Sequence, residues 1–227
     1  MAMRILWPNL PASLVPVATE AVGSGFELDF REKFDDVTDA QWAAAEFDDV
    51  VGMQHACAAL RRKDGTAVHC GEAGLVLRLL LGYVARQGGD YTLTGSPRLF
   101  ARPHTPLINA LRALGAQVEA LPNPSLRVRG SGFVQPAGPL ELADALSSQF
   151  ASSLILNAWR LPFPLILRCD AAPMSEGYLE MSIDVARRFG MTIQIDRADA
   201  ATMLIRVPAD QQDRKSTRLN SSHANVS

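Results

Sequence analysis

Three arginines, a run of hydroxyls and an amide fall at the starts of helices or in the loops before them, and side chains of these types bind anions. Arg98 and Arg102 lie in TGSPRLFARPHTPL, residues 94–107. A guanidinium fork matches a carboxylate or phosphate bidentately, and the prolines around these two reduce the entropy lost in positioning them. Arg78 closes GEAGLVLR, residues 71–78, where two glycines let a ligand approach the backbone and a helix N-terminus follows. Ser147-Ser148-Gln149 opens the apolar stretch SSQFASSLILNA, and Ser175 stands ahead of Tyr178 in APMSEGYLEMS, residues 172–182. Each feature also has a plainer reading. Arg78 could snorkel from a glycine-containing loop, Arg98 and Arg102 could be solvated loop charges, and the serines could be ordinary N-caps. His104 reads as structural or solvent-exposed rather than catalytic.

The elements that must hold these residues are legible as a repeat. ALRALGAQVEA, residues 110–120, and VARRFGMTIQI, residues 185–195, share one form: an amphipathic helix end, a glycine stop at Gly115 or Gly190, then a short alternating strand. Extended outward, the first copy predicts helix 74–87, strand 91–94, helix 105–114, strand 116–120 and strand 126–129. The second predicts helix 146–159, strand 165–168, helix 176–189, strand 191–195 and strand 203–207. A weaker third copy ends in AALRRKDGTAVHC, residues 58–70, with Lys63-Asp64-Gly65 in place of the glycine stop. With a strand before each leading helix the unit is βαβαββ. Three such units pack most economically about a common pseudo-threefold axis, helices inward and sheets outward, as an α/β lobe. In that lobe, helix N-termini of different units converge on one face. They carry Arg78, Arg98, Arg102, Ser147, Ser148, Gln149, Ser175 and Tyr178, a set suited to a phosphorylated, carboxylated, polyhydroxylated small molecule.

Composition narrows the class further. The chain has 227 residues, 48% of them hydrophobic, and a net charge of −2, so no general basic surface advertises nucleic acid or an acidic membrane. The three cysteines, Cys57, Cys70 and Cys169, form no CxxC pair, which argues against a disulfide framework or a zinc knuckle and makes a reducing cytoplasm the default. No window approaches about 18 uninterrupted apolar residues, and Pro8 and Pro11 break the N-terminal apolar stretch, so a soluble intracellular protein is expected. Neither GxGxxG nor GxxxxGK[ST] occurs, which argues against nucleotide binding of those kinds. Residues 209–227, ADQQDRKSTRLNSSHANVS, lose all periodicity and read as a disordered tail. Its KSTRLNSSH portion reads as non-native adapter sequence, so that the natural chain would continue past about Val207. The expected organisation is a divergent N-terminal segment over 1–46, the lobe over 47–208 and the tail over 209–227.

Four segments resemble the 5-enolpyruvylshikimate-3-phosphate synthase family, the 3-phosphoshikimate 1-carboxyvinyltransferases. They are GEAGLVLRLL against the family's GNAGTAMR, LTGSPRLFARPHTPLINALRALGA against LTG-x-PR-x3-RP-x3-L-x2-ALR-x-LGA, ALSSQFASSLILNA against its SSQF segment, and SEGYLEMSIDVARRFGM against its S-x-PY-x-x-M helix. Order and spacing agree across about residues 47–195. The resemblance implies two lobes of three βαβαββ units each, of which this chain supplies most of one, with the site in the cleft between them. It implies transfer of the enolpyruvyl group of phosphoenolpyruvate to the 5-hydroxyl of shikimate 3-phosphate, with phosphate released and no metal or organic cofactor. Carried over by position, Ser147, Ser148, Gln149, Ser175 and Tyr178 would contact shikimate 3-phosphate. Arg78 and Arg102, with Gly74 in the loop, would hold phosphoenolpyruvate, and Arg98 matches a family arginine of less defined role. A monomer is expected.

The departures bear on activity. The family's N-terminal Lys, second Ser and Arg fall on Leu14, Val15 and Thr19, none of which can make a charged bond to substrate. One charge-assisted contact is worth about 1.5–3 kcal/mol, so affinity should drop at least tenfold. Glu72 replaces the family's Asn, and Leu75 its Thr; a carboxylate beside an anionic substrate repels it unless protonated or paired with Arg78 or Arg102. The acid–base groups that the family draws from its other lobe are not in this sequence, so the chain alone is expected to be inactive. A binding module or pseudoenzyme that keeps the Ser-Ser-Gln and arginine sites is a second reading. A third, the sister transferase acting on UDP-N-acetylglucosamine, needs a reactive Cys in a Pro-Gly-Gly-Cys-type loop, a context none of the three cysteines has.

Overall fold

The computed structural model describes residues 48–62, 67–142, 147–170, 176–197, 199 and 202–212. After helix α1 (Asp48–Arg62) the chain forms strand β1 (Ala67–His69), helix α2 (Gly74–Gln87), strand β2 (Gly89–Thr94), the single turn α3 (Pro97–Phe100), helix α4 (Thr105–Ala113) and strands β3 (Gln117–Ala120) and β4 (Ser125–Gly130). The same series then recurs as β5 (Leu140–Leu142), α5 (Gln149–Leu156), β6 (Leu165–Asp170), α6 (Glu176–Arg188), β7 (Gln194–Arg197) and β8 (Thr202–Val207). The first sheet has the order β1-β2-β4-β3 and the second β5-β6-β8-β7. In each, the leading strand is parallel to the next, Ala67 opposite Thr92 and Leu140 opposite Leu167, and the other pairings are antiparallel. Both complete repeats are therefore βαβαββ units of one topology, as the periodicity predicts.

Their helices differ in burial in the way the layering requires. Ten of the fourteen residues of α2 and seven of the eight of α5 are buried, so these two helices are apolar nearly all round and form the centre of the lobe. By contrast α4 buries only Leu107, Ala110 and Leu111, the stripe of a helix lying between core and solvent. Strands β4 and β8 send Leu126 and Val128, or Met203, Ile205 and Val207, into the same continuous core. Both second helices stop in a Schellman turn. Gly115 (φ 92°) and Gly190 (φ 99°) take the left-handed conformation, with Ala116 N donating to Leu111 O and Met191 N to Ala186 O, each at 3.0 Å. The arginine three residues before each glycine reaches over the turn to the next strand segment, Arg112 Nη2 to Val118 O at 2.6 Å and Arg187 Nη2 to Ile193 O at 2.8 Å.

Three local expectations need correction. The strand assigned to the close of a third copy is β1, which opens the first complete repeat. Parallel pairing with β2, Ala67 opposite Thr92, takes this strand into the following sheet. The arginine-bearing segment around Arg98 is not wholly loop: Ser96 Oγ accepts from Leu99 N at 3.2 Å and Pro97 starts the turn, which makes α3. Residues 209–212, assigned to the tail, are bonded back onto the lobe: Arg160 N donates to Gln211 O at 2.8 Å, Asp210 N to Leu161 O at 2.7 Å, and Thr192 N to Gln211 Oε1 at 2.7 Å. The N-terminal expectations, including those at Leu14, Val15 and Thr19, lie outside the described residues, as do Ser175 and residues 213–227.

Candidate functional site

The two central helices meet closely enough for a side chain of one to reach the start of the other. Their approach is set at Gly82 of α2, where any Cβ would come within 2.8 Å of Asn157 Nδ2 and against Ser153 Oγ. Ser153 Oγ donates to the carbonyl of Arg78 at 2.7 Å, and Asn157 Nδ2 to the carbonyl of Ser153 at 2.8 Å. The first bond ties α2 to α5, the second holds Asn157 on its own helix, and the Arg78 side chain runs to the start of α5. There Arg78 Nη1 donates to Ser147 Oγ at 3.0 Å and to Gln149 Oε1 at 2.7 Å, while its Cζ lies 4.9 Å from the centre of the Phe150 ring.

The choice between cap and anion site at Ser147-Ser148-Gln149 is thereby sharpened. Ser148 occupies the N-cap position but has helical angles (φ −55°, ψ −21°) and makes no side-chain cap bond. Ser147 Oγ, the acceptor for Arg78, receives Gln149 N only at 3.4 Å. The Ser147 and Gln149 side chains are thus bound to a cation, while the backbone of Ser147 and Ser148 carries the bonds to the helix. At the other helix start, Ala73 cannot cap α2, and the first turn of α2 holds no acidic residue. Its leading N–H groups and the positive end of the helix dipole are left for another partner.

Arg102 faces the same place. A Cβ on Gly74 would lie 2.8 Å from Arg102 Nη1 and 3.8 Å from Arg78 Nη1, so glycine here makes room for two guanidinium groups. Burial first, and Arg102 second, lower the pKa of Arg78, which is 8% exposed. Among the described residues neither arginine has a carboxylate partner. Glu72, considered above as a possible counter-ion, is exposed and pairs with neither. Arg78 Nε is buried with no acceptor. Two cations, an unsatisfied donor and an uncapped helix start make a site that a bidentate anion would complete.

Not every sequence candidate joins this cluster. Arg98 is exposed on α3 and makes no bond to it. Tyr178 is 66% exposed on α6, linked toward α5 only through its backbone carbonyl, which accepts from Ser182 Oγ at 3.0 Å; Ser152 Oγ in turn donates to Ser182 Oγ at 2.8 Å. His104 is buried, not solvent-exposed. Its Nε2 must carry the proton it donates to Leu99 O at 3.0 Å, which leaves Nδ1 as a bare acceptor without a partner. Burial and then the Arg78 and Arg102 charges lower its pKa, against the opposing bond to Leu99. Cys70 and Cys169 are buried, and desolvation pushes both thiols up to about 12, unlike a reactive nucleophile. Residue types alone did not single out Phe150 and Ser153, which shape the Arg78 side chain; the close approach at Gly82 was the available signal for Ser153.

Comparison with known proteins points the same way. The chain is 34% identical over 140 residues to the 3-phosphoshikimate 1-carboxyvinyltransferase of Bordetella pertussis, covering 59% of this chain and 31% of that protein. It is 38% identical over 128 residues to the enzyme of that name from Methanoculleus marisnigri, covering 56% and 30%. It therefore spans about a third of the length of the curated relatives it matches. A solved EPSP synthase from Acinetobacter baumannii aligns with a TM-score of 0.49 at 20% identity, over 65% of this chain and 31% of that one. The family model for EPSP synthase (3-phosphoshikimate 1-carboxyvinyltransferase) matches residues 43–216, well over half of the sequence, and the chain belongs to that family.

Proposed function

We propose that the chain carries one side of an enolpyruvyl-transfer site, at which phosphoenolpyruvate and shikimate 3-phosphate bind next to each other. The observation that carries this reading is Arg78, shared between Ser147 and Gln149 of the second repeat and set beside Arg102 over Gly74, with no carboxylate among the described residues to neutralise the pair. Arg78 and Arg102 hold the carboxylate and phosphate of phosphoenolpyruvate, and the α2 N-terminus adds backbone donors. Ser147, Ser148 and Gln149 hold shikimate 3-phosphate, joined by Ser175 and Tyr178, while Arg98, exposed on α3, has a less defined role. Across the whole reaction, the 5-hydroxyl of shikimate 3-phosphate gains the enolpyruvyl group, and phosphate leaves.

The chain on its own binds without turnover. Among the described residues around Arg78 the titratable neighbour other than arginine is His104, whose proton is committed to Leu99 O and whose environment keeps it neutral. That arrangement offers no poised acid or base for the addition and elimination steps. Family membership supports a cytoplasmic setting, and action as a monomer is part of the same proposal. The test is calorimetric titration of the purified chain with each substrate, followed by phosphate release with both. Binding of phosphoenolpyruvate that is lost in Arg78→Ala supports the site. Heat from neither substrate overturns it, and phosphate release above the protein-free rate overturns the claim of no turnover.

A further inference from the structure

We infer that Phe150 is a positioning residue: its ring face sets the plane of the Arg78 guanidinium and so decides which edge of the fork meets the anion. The inference rests on the site reading above. Arg78 Nη1 is the nitrogen that the protein engages, donating to Ser147 Oγ and Gln149 Oε1. Two bonds from one nitrogen fix where that nitrogen sits but leave the group able to tilt about it. Phe150, only 1% exposed and next in sequence to Gln149, presents its ring 4.9 Å from Arg78 Cζ and limits that tilt. The edge left without a protein acceptor among the described residues is the one formed by Nε and Nη2, and Nε is buried. An N–H held in a buried place with no acceptor is retained at a cost, and a ligand oxygen there would satisfy it. Ring and acceptors come from residues 147–150, at and just before the start of α5, so the second repeat both anchors the arginine and aims it.

The test replaces Phe150 in the full chain with mono-, di- and trifluorinated phenylalanine, which drain charge from the ring face while nearly keeping its shape. Phosphoenolpyruvate affinity by calorimetry should fall stepwise with fluorine number, about threefold or more in total, with an unchanged Tm. A flat affinity across the series overturns the proposal. A second readout is independent of ligand: the 15N–1H signal of the Arg78 Nε–H, assigned by its loss in Arg78→Lys. It should shift stepwise along the series, and a signal that stays put overturns the proposal. Should the native chain bind no phosphoenolpyruvate, the site reading fails and this signal alone decides the role of Phe150. In Phe150→Leu the signal should broaden toward that of a solvent-exposed arginine; if that variant does not fold, the fluorinated series stands in its place.

Discussion

Arg78 on the first repeat donates to Gln149 Oε1 on the second at 2.7 Å, a bond that with the one to Ser147 Oγ joins the arginines to the Ser-Ser-Gln segment. Removing the guanidinium therefore affects both. In Arg78→Ala, phosphoenolpyruvate binding should weaken at least tenfold, since a charge-assisted bond is worth about 1.5–3 kcal/mol. Shikimate 3-phosphate should also bind less well, because Ser147 and Gln149 lose the donor that orders them. Arg78→Lys should recover little, as one ammonium cannot span both acceptors and a ligand edge. Calorimetry on the two variants checks this.

Gly74 supplies space. A methyl there would sit 2.8 Å from the far end of the Arg102 side chain, which is flexible and exposed and can move away. Gly74→Ala should keep the fold and its Tm but push Arg102 off the site, weakening phosphoenolpyruvate more than shikimate 3-phosphate. Parallel titrations with the two ligands would show the asymmetry; equal losses would contradict it.

Gly82 supplies contact. There the obstruction is Ser153 Oγ, which bonds α5 to α2, Asn157 Nδ2 and the Ser153 backbone carbonyl, and the carbonyl cannot retreat without parting α2 from α5. Overpacking of this kind costs about 1–3 kcal/mol, and Gly82→Ala should lower stability by that amount in a urea titration.

The His104 imidazole is neutral in the folded chain with its pKa below the ordinary 6.5. In the unfolded chain it takes up a proton sooner, so the unfolded state binds more protons as pH drops. The stabilising contribution is full above about 6.5 and is lost as pH falls from there toward the folded value. Asp90 titrates lower: hydrogen bonds from Arg127 and then Arg129 hold its carboxyl at about 2, so its contribution is present above the unfolded value of 3.8 and is lost as pH falls through about 2. Thermal melts between pH 7 and 5 should show a fall in Tm that His104→Asn reduces and Asp90→Asn leaves in place.

Burial of Cys70 and Cys169 predicts thiols that do not react with a disulfide reagent at pH 8 until the chain is unfolded. Fast modification of either in the native chain would reopen thiol chemistry as a route to function.

The repeat was legible because it rests on local signals. Gly115 and Gly190 announce the same stop, and the alternation after each announces the same strand, so the order of elements follows from sequence. The candidate anion set was legible in type, because Arg78, Arg102 and Gly74 fall together near helix starts, although each taken alone has a plainer reading. What sequence could not give is set by contacts distant along the chain. Whether Ser148 caps its helix depends on how Arg78 arrives from the other repeat, and the burial of His104 depends on packing that no neighbouring residue declares. The membership of β1 was misread for a related reason: a strand so short carries no mark of which sheet will pair with it.

Arg78 and Ser153 are each the fifth residue of the leading helix of their repeat, and the hydroxyl of one is bonded to the carbonyl of the other. They occupy the same station in two copies of one design. Arginine at both would bury two facing charges, and serine at both would leave Arg102 as the one cation among these residues. The lobe departs from its own internal symmetry at this pair, and in the proposed site that departure lets one copy bear the charge while the other bonds to its backbone.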